Sequence, residues 1–317
     1  MAKFIQIAVQ DPAAIRNELA QGLLARPASI APKHFYDALG SRLFEAICEL
    51  PEYYPTRTEA TILKRHAAEM ADLIGPGSVL IDLGAGNCEK AASLFTALAP
   101  AAYVPLDISV DFLRRAVNRL QELHPQIAML GVGIDFSQDL DLPAALPEGR
   151  RLFFYPGSSI GNFTPEQALA FLRRVRTAAG AHGQLLIGVD LVKDAATLNA
   201  AYDDALGVTA AFNLNALNNV NAQLGSDFHP DGWRHRAYFN VQHSRIEMHL
   251  QALDSLTVRW PGAARRFENG ESIHTENSYK YTRESFTALL NEAGFERVRA
   301  WTDQRNWFMV CHAHASA

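Results

Sequence analysis

Three cysteines in 317 residues, Cys48, Cys88 and Cys311, are too few and too far apart to staple a fold. Their number is odd and no CxxC occurs, which argues against a disulfide framework and against a structural zinc site. Such usage fits a reducing cytoplasm, where the chain is expected to reside. Long apolar runs are missing as well. No stretch could span a bilayer, and Asp11 interrupts the opening MAKFIQIAVQDPAA before an apolar run of signal-peptide length can form. A basic excess is also lacking. Lys and Arg number 29 against 34 Asp and Glu, for a net charge of -5, with no run of five like charges. A general nucleic-acid binder would carry a basic stripe. Neither internal repeats nor low-complexity segments occur.

What is present is enough apolar material, 48% of the chain, for one large domain or two smaller ones. Residues 12–25 read as a helix. Residues 41–49 read as a short helix stopped by Pro51, and the two prolines of PEYYPTR predict a loop. From Thr58 a helical apolar spacing begins. Then SVLIDL, AYVPLDIS, IAMLGVGIDF, RLFFYPG and GQLLIGVDLV read as strands, separated by helical stretches such as VDFLRRAVNRLQEL and PEQALAFLRRVRTAA. Strands alternating with helices predict a parallel sheet covered on both faces. After about residue 195 the rhythm changes to an asparagine-rich helical stretch and then β-like segments with no helix between them. A last helix at 283–294 and two strands would complete the first sheet. The expected fold is therefore α/β, a doubly wound Rossmann-like domain over 62–194 plus 282–317. A second α+β lobe would comprise 1–61 plus 195–281.

Chemistry concentrates at strand ends. The first strand runs into Asp82-Leu-Gly84-Ala-Gly86-Asn-Cys-Glu-Lys90. A dinucleotide fold would show GxGxxG, with a pyrophosphate on the helix N-terminus. Here Glu89 stands where the third glycine would be, so that fingerprint fails. The DLGAG form instead resembles the first motif of class I S-adenosylmethionine methyltransferases. That ligand has a sulfonium, an amino-acid tail and an adenosine, and no phosphate. Asp107, ending the second strand, can accept both ribose hydroxyls. Asp135 and Phe136, ending the third, can bond the adenine amine and stack on its ring. A rival motif is Gly157-Ser158-Ser159-Ile160-Gly161, which fits a nucleophile elbow. A hydrolase would use Ser159 with a later acid such as Asp190 and a histidine such as His229. The DLGAG turn would then have no purpose, and no HGGG-type oxyanion segment precedes it. Asp203 and Asp204 look like a metal pair by eye. On a helix, adjacent side chains point about 100° apart and do not converge, so no metal is expected. None of the eleven histidines, His243 and His249 included, is assigned to catalysis or metal.

The chain strongly resembles the histidine Nα-methyltransferase family of ergothioneine biosynthesis. The likeness spans nearly its whole length, through FYDALGSRLFEAICELPEYYPTRTEATIL, DLGAGNCEK, PLDIS, GSSIGNFTP, DLVKD, AYDDALGVTAAFNLNALNNVN, RIEMHL and HTENSYKY. The resemblance implies trimethylation of free L-histidine to hercynine with S-adenosylmethionine as methyl donor; the expected partner is a small-molecule amino acid, no metal is expected, and the chain is expected to be a monomer. The resemblance also implies roles by residue. Tyr36 and Tyr53 border the substrate amine, and Asn162 with Tyr202 clamps its carboxylate. Glu276 and Ser278 address the imidazole, while Phe212, Asn213 and Met248 form walls. Asp82, Gly84, Gly86, Lys90, Asp107, Asp135 and Phe136 make the cofactor site. Two departures bear on this. The family's first motif often opens with Glu where this chain has Asp82, and Asn277 and Tyr279 differ from the mycobacterial branch. A methyltransferase for another free amino acid, such as tryptophan, would share the cofactor residues but not the imidazole pair. Of the tyrosines, Tyr53 is the candidate for orienting the amine and relaying its proton. The bland alternative for Glu276, Ser278 and Lys280 is a strand face turned to solvent.

Overall fold

The structure, a computed structural model, describes residues 2–7, 11–136 and 140–316. The chain divides into two compact units, one comprising Met1–Val9, Pro55–Val192 and Lys280–Ala317, the other Gln10–Tyr54 and Lys193–Tyr279.

The first unit is built on an eight-stranded sheet. Its spatial order is Lys3–Gln6, Ala128–Gly133, Ala102–Asp107, Val79–Leu83, Arg151–Tyr155, Gln184–Asp190, Phe308–Ala315 and Phe295–Thr302. The first six strands are parallel, and the last two form an antiparallel hairpin against Gln184–Asp190. The strand order reverses beside Val79–Leu83, the switch point at which open α/β sheets bind ligands. All five residues of that strand are buried, as expected for a strand covered on both faces. Leu80, Leu152 and Phe154 join a core with Ile62, Met70, Leu113 and Val117 of helices Tyr54–Ile74 and Val110–Leu123. On the opposite face Tyr155 packs on Phe171 of helix Pro165–Ala179, ring centroids 5.0 Å apart. The doubly wound α/β architecture expected from the alternation is present.

Several boundaries differ from the sequence reading, each for a local reason. The strand Lys3–Gln6 was not anticipated, and it places the N-terminal residues with the large sheet rather than with the second lobe. Four residues are too short for a periodicity to declare itself. What admits the strand is Gly131, where a Cβ would come within 2.4 Å of the Phe4 ring. The PEYYPTR segment is not all loop, because helix Tyr54–Ile74 begins inside it and Pro55 falls in the first turn, where no N–H is needed. The second unit likewise opens its helix Ala38–Glu49 earlier than expected. Asp37 caps it by accepting from the Gly40 N–H at 2.6 Å.

In the second unit a four-stranded sheet runs in the order Ala28–Ser29, Ser272–Tyr279, Arg245–Ala252, Trp233–Asn240, with a separate hairpin of Leu256–Trp260 and Ala263–Phe267. Leu19 and Leu23 of helix Pro12–Leu24 and Leu217, Val220 and Leu224 of helix Val208–Leu224 pack with Leu250 and Ile273 into its core. The asparagines of that last helix are structural. Asn215 Nδ2 donates to Asp37 Oδ1 at 2.8 Å and Asn219 Nδ2 to the His34 carbonyl at 2.7 Å, so each buried amide satisfies a neighbouring loop. The adjacent acids Asp203 and Asp204 do not sit on a helix. They lie in the break between Ala195–Tyr202 and Val208–Leu224, and Asp204 caps the second by accepting from Val208 and Thr209 N–H groups. Among the described residues no helix is long and apolar enough to cross a membrane, and no group of three or more His, Cys, Asp or Glu could hold a metal ion.

Candidate active site

The glycine-rich turn in the first unit follows strand Val79–Leu83. Gly84 and Gly86 have φ of +70° and +52°, in the left-handed region that favours glycine. Nothing lies within 4 Å of a Cβ built on Gly86, which leaves open space above the turn, while one on Gly84 would meet the Phe136 ring at 3.5 Å. Asp107 fastens the turn from the next strand. Its Oδ2 accepts from the Gly86 N–H at 2.9 Å and its Oδ1 from Ser109 N–H at 2.8 Å. A carboxylate offers about four lone-pair directions, so these backbone bonds do not exhaust it. Burial raises the Asp107 pKa, against the lowering by the Ser109 and Gly86 N–H groups.

Asp82 is placed differently from a surface ligand group. It is 1% exposed, accepts from the Tyr103 hydroxyl at 2.7 Å, and its Oδ1 is buried without a hydrogen-bond partner. Burial pushes this carboxyl up to about 7, against the lowering by Tyr103 and Lys90. The orphaned oxygen, the left-handed glycines and the open space over Gly86 fit a ligand that brings its own donors and cannot tolerate a side chain beneath it. Residues Asp135 and Phe136 are half-buried at the end of the neighbouring strand Ala128–Gly133, and Phe136 stands edge-on to Tyr155.

The Gly157-to-Gly161 segment also lies in this unit, at the end of strand Arg151–Tyr155. Its two serines are engaged elsewhere: Ser158 Oγ accepts from the Asp190 N–H at 2.9 Å and Ser159 Oγ donates to the Pro156 carbonyl at 3.2 Å. The left-handed residue is Ser158, φ +59°, not Ser159. Asp190, the acid a hydrolase would use, is paired at 2.8 Å with Lys280 in a bridge whose side chains are at most 1% exposed. Asn162 ends the short 3-10 turn Ser159–Asn162 that follows.

Sequence reasoning missed Glu59. It lies on the apolar face of helix Tyr54–Ile74, in step with Ile62, Leu63 and Met70, and is 1% exposed. Lys90 Nζ donates to its Oε2 at 2.6 Å, and the Gly157 N–H reaches both of its oxygens at 2.9 and 3.0 Å. The signal was legible: an acid standing in a helical apolar stripe demands a buried partner.

The second unit collects the aromatic residues. Tyr36, Phe44 and Phe212 face one another with centroids 5.7 to 6.0 Å apart, and the Tyr53 ring sits 6.2 Å from Phe44 and 6.1 Å from Tyr202. Tyr202 Oη and Ser278 Oγ are hydrogen-bonded at 2.8 Å. Glu276 and Ser278 are 8% and 3% exposed, and Lys280 is 3% exposed, so the period-two face is an inner one rather than a solvated one. A bulge between His274 and Glu276 sets the strand's register, bringing Glu276 opposite Met248. Burial raises the Tyr53 pKa well above its ordinary value, and Tyr202, Cys48, Glu276 and Tyr36 add to the shift. Tyr53 is therefore a neutral hydroxyl at physiological pH, not a phenolate base.

Three other residues prove to be struts. The Asn213 amide donates to the His249 carbonyl at 3.0 Å and lies 2.8 Å from His235 Nδ1, so it ties its helix to the sheet. Asn277 Oδ1 meets His274 Nε2 at 2.9 Å, and the Tyr279 hydroxyl accepts from Arg245 at 2.6 Å. Tyr279 thus joins Glu247 and His249 through Arg245, and Asn277 bonds the His274 ring that stands edge-on to His249.

The profile of the histidine-specific, S-adenosylmethionine-dependent methyltransferase family matches residues 15–315. A histidine N-alpha-methyltransferase from Mycolicibacterium smegmatis is 42% identical over 297 residues, covering 92% of this chain and 91% of its own length. That of Mycobacterium tuberculosis is 40% identical over 303 residues, covering 93% of each. The ergothioneine biosynthesis protein 1 of Neurospora crassa is 32% identical over 287 residues, which is 84% of this chain and 31% of that longer protein.

Proposed function

The chain belongs to the histidine-specific, S-adenosylmethionine-dependent methyltransferase family, and from that premise we propose that it trimethylates the α-amino group of free L-histidine to give hercynine. The observation that carries this reading is the buried pair Glu276 and Ser278, two residues apart on strand Ser272–Tyr279 and joined through Ser278 to Tyr202. An imidazole has two ring nitrogens. A carboxylate can take an N–H from one, and a hydroxyl can meet the other as donor or acceptor. Indole offers a single N–H where imidazole offers two ring nitrogens, and a phenyl ring offers none, so the pair suits histidine better than tryptophan or phenylalanine.

S-adenosylmethionine supplies the methyl group and the electrophilic carbon. Asp107, Asp135 and Phe136 would hold its adenosine, Asp82 and Lys90 its amino-acid tail, with Gly84 and Gly86 clearing the space. The remaining work is positional. The accepting nitrogen must be unprotonated and in line with the bond to be broken, and fixed alignment provides the equivalent of roughly 7–11 kcal/mol. An α-amine titrates at about 8, so no strong base is required. As a neutral hydroxyl, Tyr53 accepts an N–H of the amine through its oxygen and so turns the nitrogen lone pair. Its own proton can pass toward water as the amine's is released. Tyr36 borders the same amine, and Phe212 and Met248 wall the side chain. By the resemblance, the residues for the substrate carboxylate are Asn162 and Tyr202. The test is incubation with S-adenosylmethionine and an equimolar mixture of the amino acids, followed by mass spectrometry. Histidine should gain three methyl groups through mono- and dimethyl intermediates. Methylation of another amino acid with histidine untouched would overturn the assignment.

A further inference from the structure

Lys90 follows the glycine-rich turn by four residues, at the carboxyl end of the parallel strands. Its side chain is about one-third exposed (31%), yet its ammonium is tied to a carboxylate that is 1% exposed. A flexible lysine stem has many rotamers, and a surface ion pair seldom restricts them. A buried partner does. Glu59 is itself immobilised, since both its oxygens accept from the Gly157 N–H and helix Tyr54–Ile74 carries it in its packed face. The sheet has been shaped to admit it. Gly188, in the middle of strand Gln184–Asp190, is the place where a Cβ would come within 1.9 Å of Glu59 Oε1. Any other residue at that position would drive the carboxylate out.

We propose that Glu59 is a positioning residue for the methyl donor: it aims the Lys90 ammonium at the carboxylate of the donor's amino-acid tail. This rests on the reading of Lys90 as part of the S-adenosylmethionine site. The chemistry selects that carboxylate, because it is the only anionic group the donor possesses and Lys90 is the cation at the turn. Glu59 acts through Lys90 and touches no reacting atom. A carboxylate that merely filled the core would influence every ligand of the turn alike, whereas one acting through Lys90 influences only ligands that carry the tail.

The experiment compares two probes by calorimetric titration. S-adenosylhomocysteine has the tail, and 5′-methylthioadenosine has the same nucleoside without it. Glu59→Gln keeps the size and one acceptor for Gly157 but removes the charge that orients Lys90. It should weaken S-adenosylhomocysteine at least about tenfold, the scale of a lost charge-assisted hydrogen bond, and leave methylthioadenosine within about twofold. Lys90→Met, made at a partly exposed side chain, should show the same selectivity. The double variant should be little worse than Lys90→Met alone, because the two residues form one unit. If the buried substitution unfolds the chain, Gly188→Ala displaces the carboxylate without removing it and should reproduce the selective loss. Equal losses for the two probes, unchanged affinity for S-adenosylhomocysteine, or fully additive effects in the double variant would overturn the proposal. A wild-type protein that binds neither probe would overturn the underlying methyl-donor reading instead.

Discussion

Glu276 and Asp82 are both buried carboxylates, and their surroundings give them opposite tasks. Glu276 is held beside Tyr53 and Ser278, in a face that the proposed imidazole would complete. Replacing it by alanine should weaken histidine by about 2 kcal/mol, the worth of a hydrogen bond to a charged group, and leave S-adenosylhomocysteine affinity unchanged. Tryptophan should lose little or gain, since no carboxylate need then be desolvated against its ring. Titration of both amino acids into wild type and variant decides this, and equal histidine affinity in the two proteins would refute it. Asp82 instead governs a pH dependence. Its folded carboxyl titrates at about 7, above the ordinary 3.8, because burial disfavours the charge. Between those values the folded chain keeps a proton that the unfolded chain has released, so stability falls as pH rises through the window. At about 1.4 kcal/mol per unit the full effect amounts to a few kcal/mol. Asp82→Asn removes it, and the melting temperature of this variant relative to wild type should climb between about pH 4 and about pH 7. A constant difference across that range would show that Asp82 is not titrating there.

Among the elements, helix Val208–Leu224 depends on a cap that its own sequence does not announce. Gly207 precedes it in a left-handed conformation and contributes no side chain, so Asp204 reaches forward to the Val208 and Thr209 N–H groups. Asp204→Ala should cost about 1–2 kcal/mol, seen as a lower melting temperature with S-adenosylhomocysteine affinity preserved. The same helix illustrates what the sequence could and could not disclose. The apolar strands from Val79 to Asp190 and the amphipathic helices between them were legible because burial on both faces leaves near-continuous apolar runs. Gly84, Gly86 and Asp107 stood out as cofactor candidates because they follow strands in an α/β alternation, and the fold joins them through the Gly86 N–H and the Asp107 carboxylate. The break at 203–207 was not legible, since DDALG is equally compatible with a continuing helix until Asp204 turns to cap. Glu59 was overlooked although its place in an apolar stripe marked it. Its partners Lys90 and Gly157 are 31 and 98 residues away, and only the fold brings them together.

At the scale of the whole chain, ligand linkage tests the donor site without any variant. A molecule that binds only the folded protein stabilises it by about 2.7 kcal/mol at a hundredfold excess over its dissociation constant. S-adenosylhomocysteine should therefore raise the melting temperature, and NAD should not, because Glu89 occupies the position of the third glycine that a pyrophosphate would require. A shift with NAD and none with S-adenosylhomocysteine would contradict the methyl-donor assignment.

The interrupted connectivity of the large sheet also sets an order of events during synthesis. Strand Gln184–Asp190 is buried along its whole length, yet one of its two neighbours, Phe308–Ala315, emerges only after the entire Lys193–Tyr279 stretch has been translated. Until then the nascent polypeptide displays an apolar strand with one ladder of N–H and C=O groups unsatisfied, the kind of edge to which a foreign strand can add. The intervening unit, whose sheet pairs mostly among its own residues, can close first. Lys280, the first residue beyond it, reaches Asp190 at the open edge ahead of the hairpin. Lys280 precedes that hairpin in the chain, so its pairing with Asp190 can come before the strand Phe308–Ala315 covers the edge.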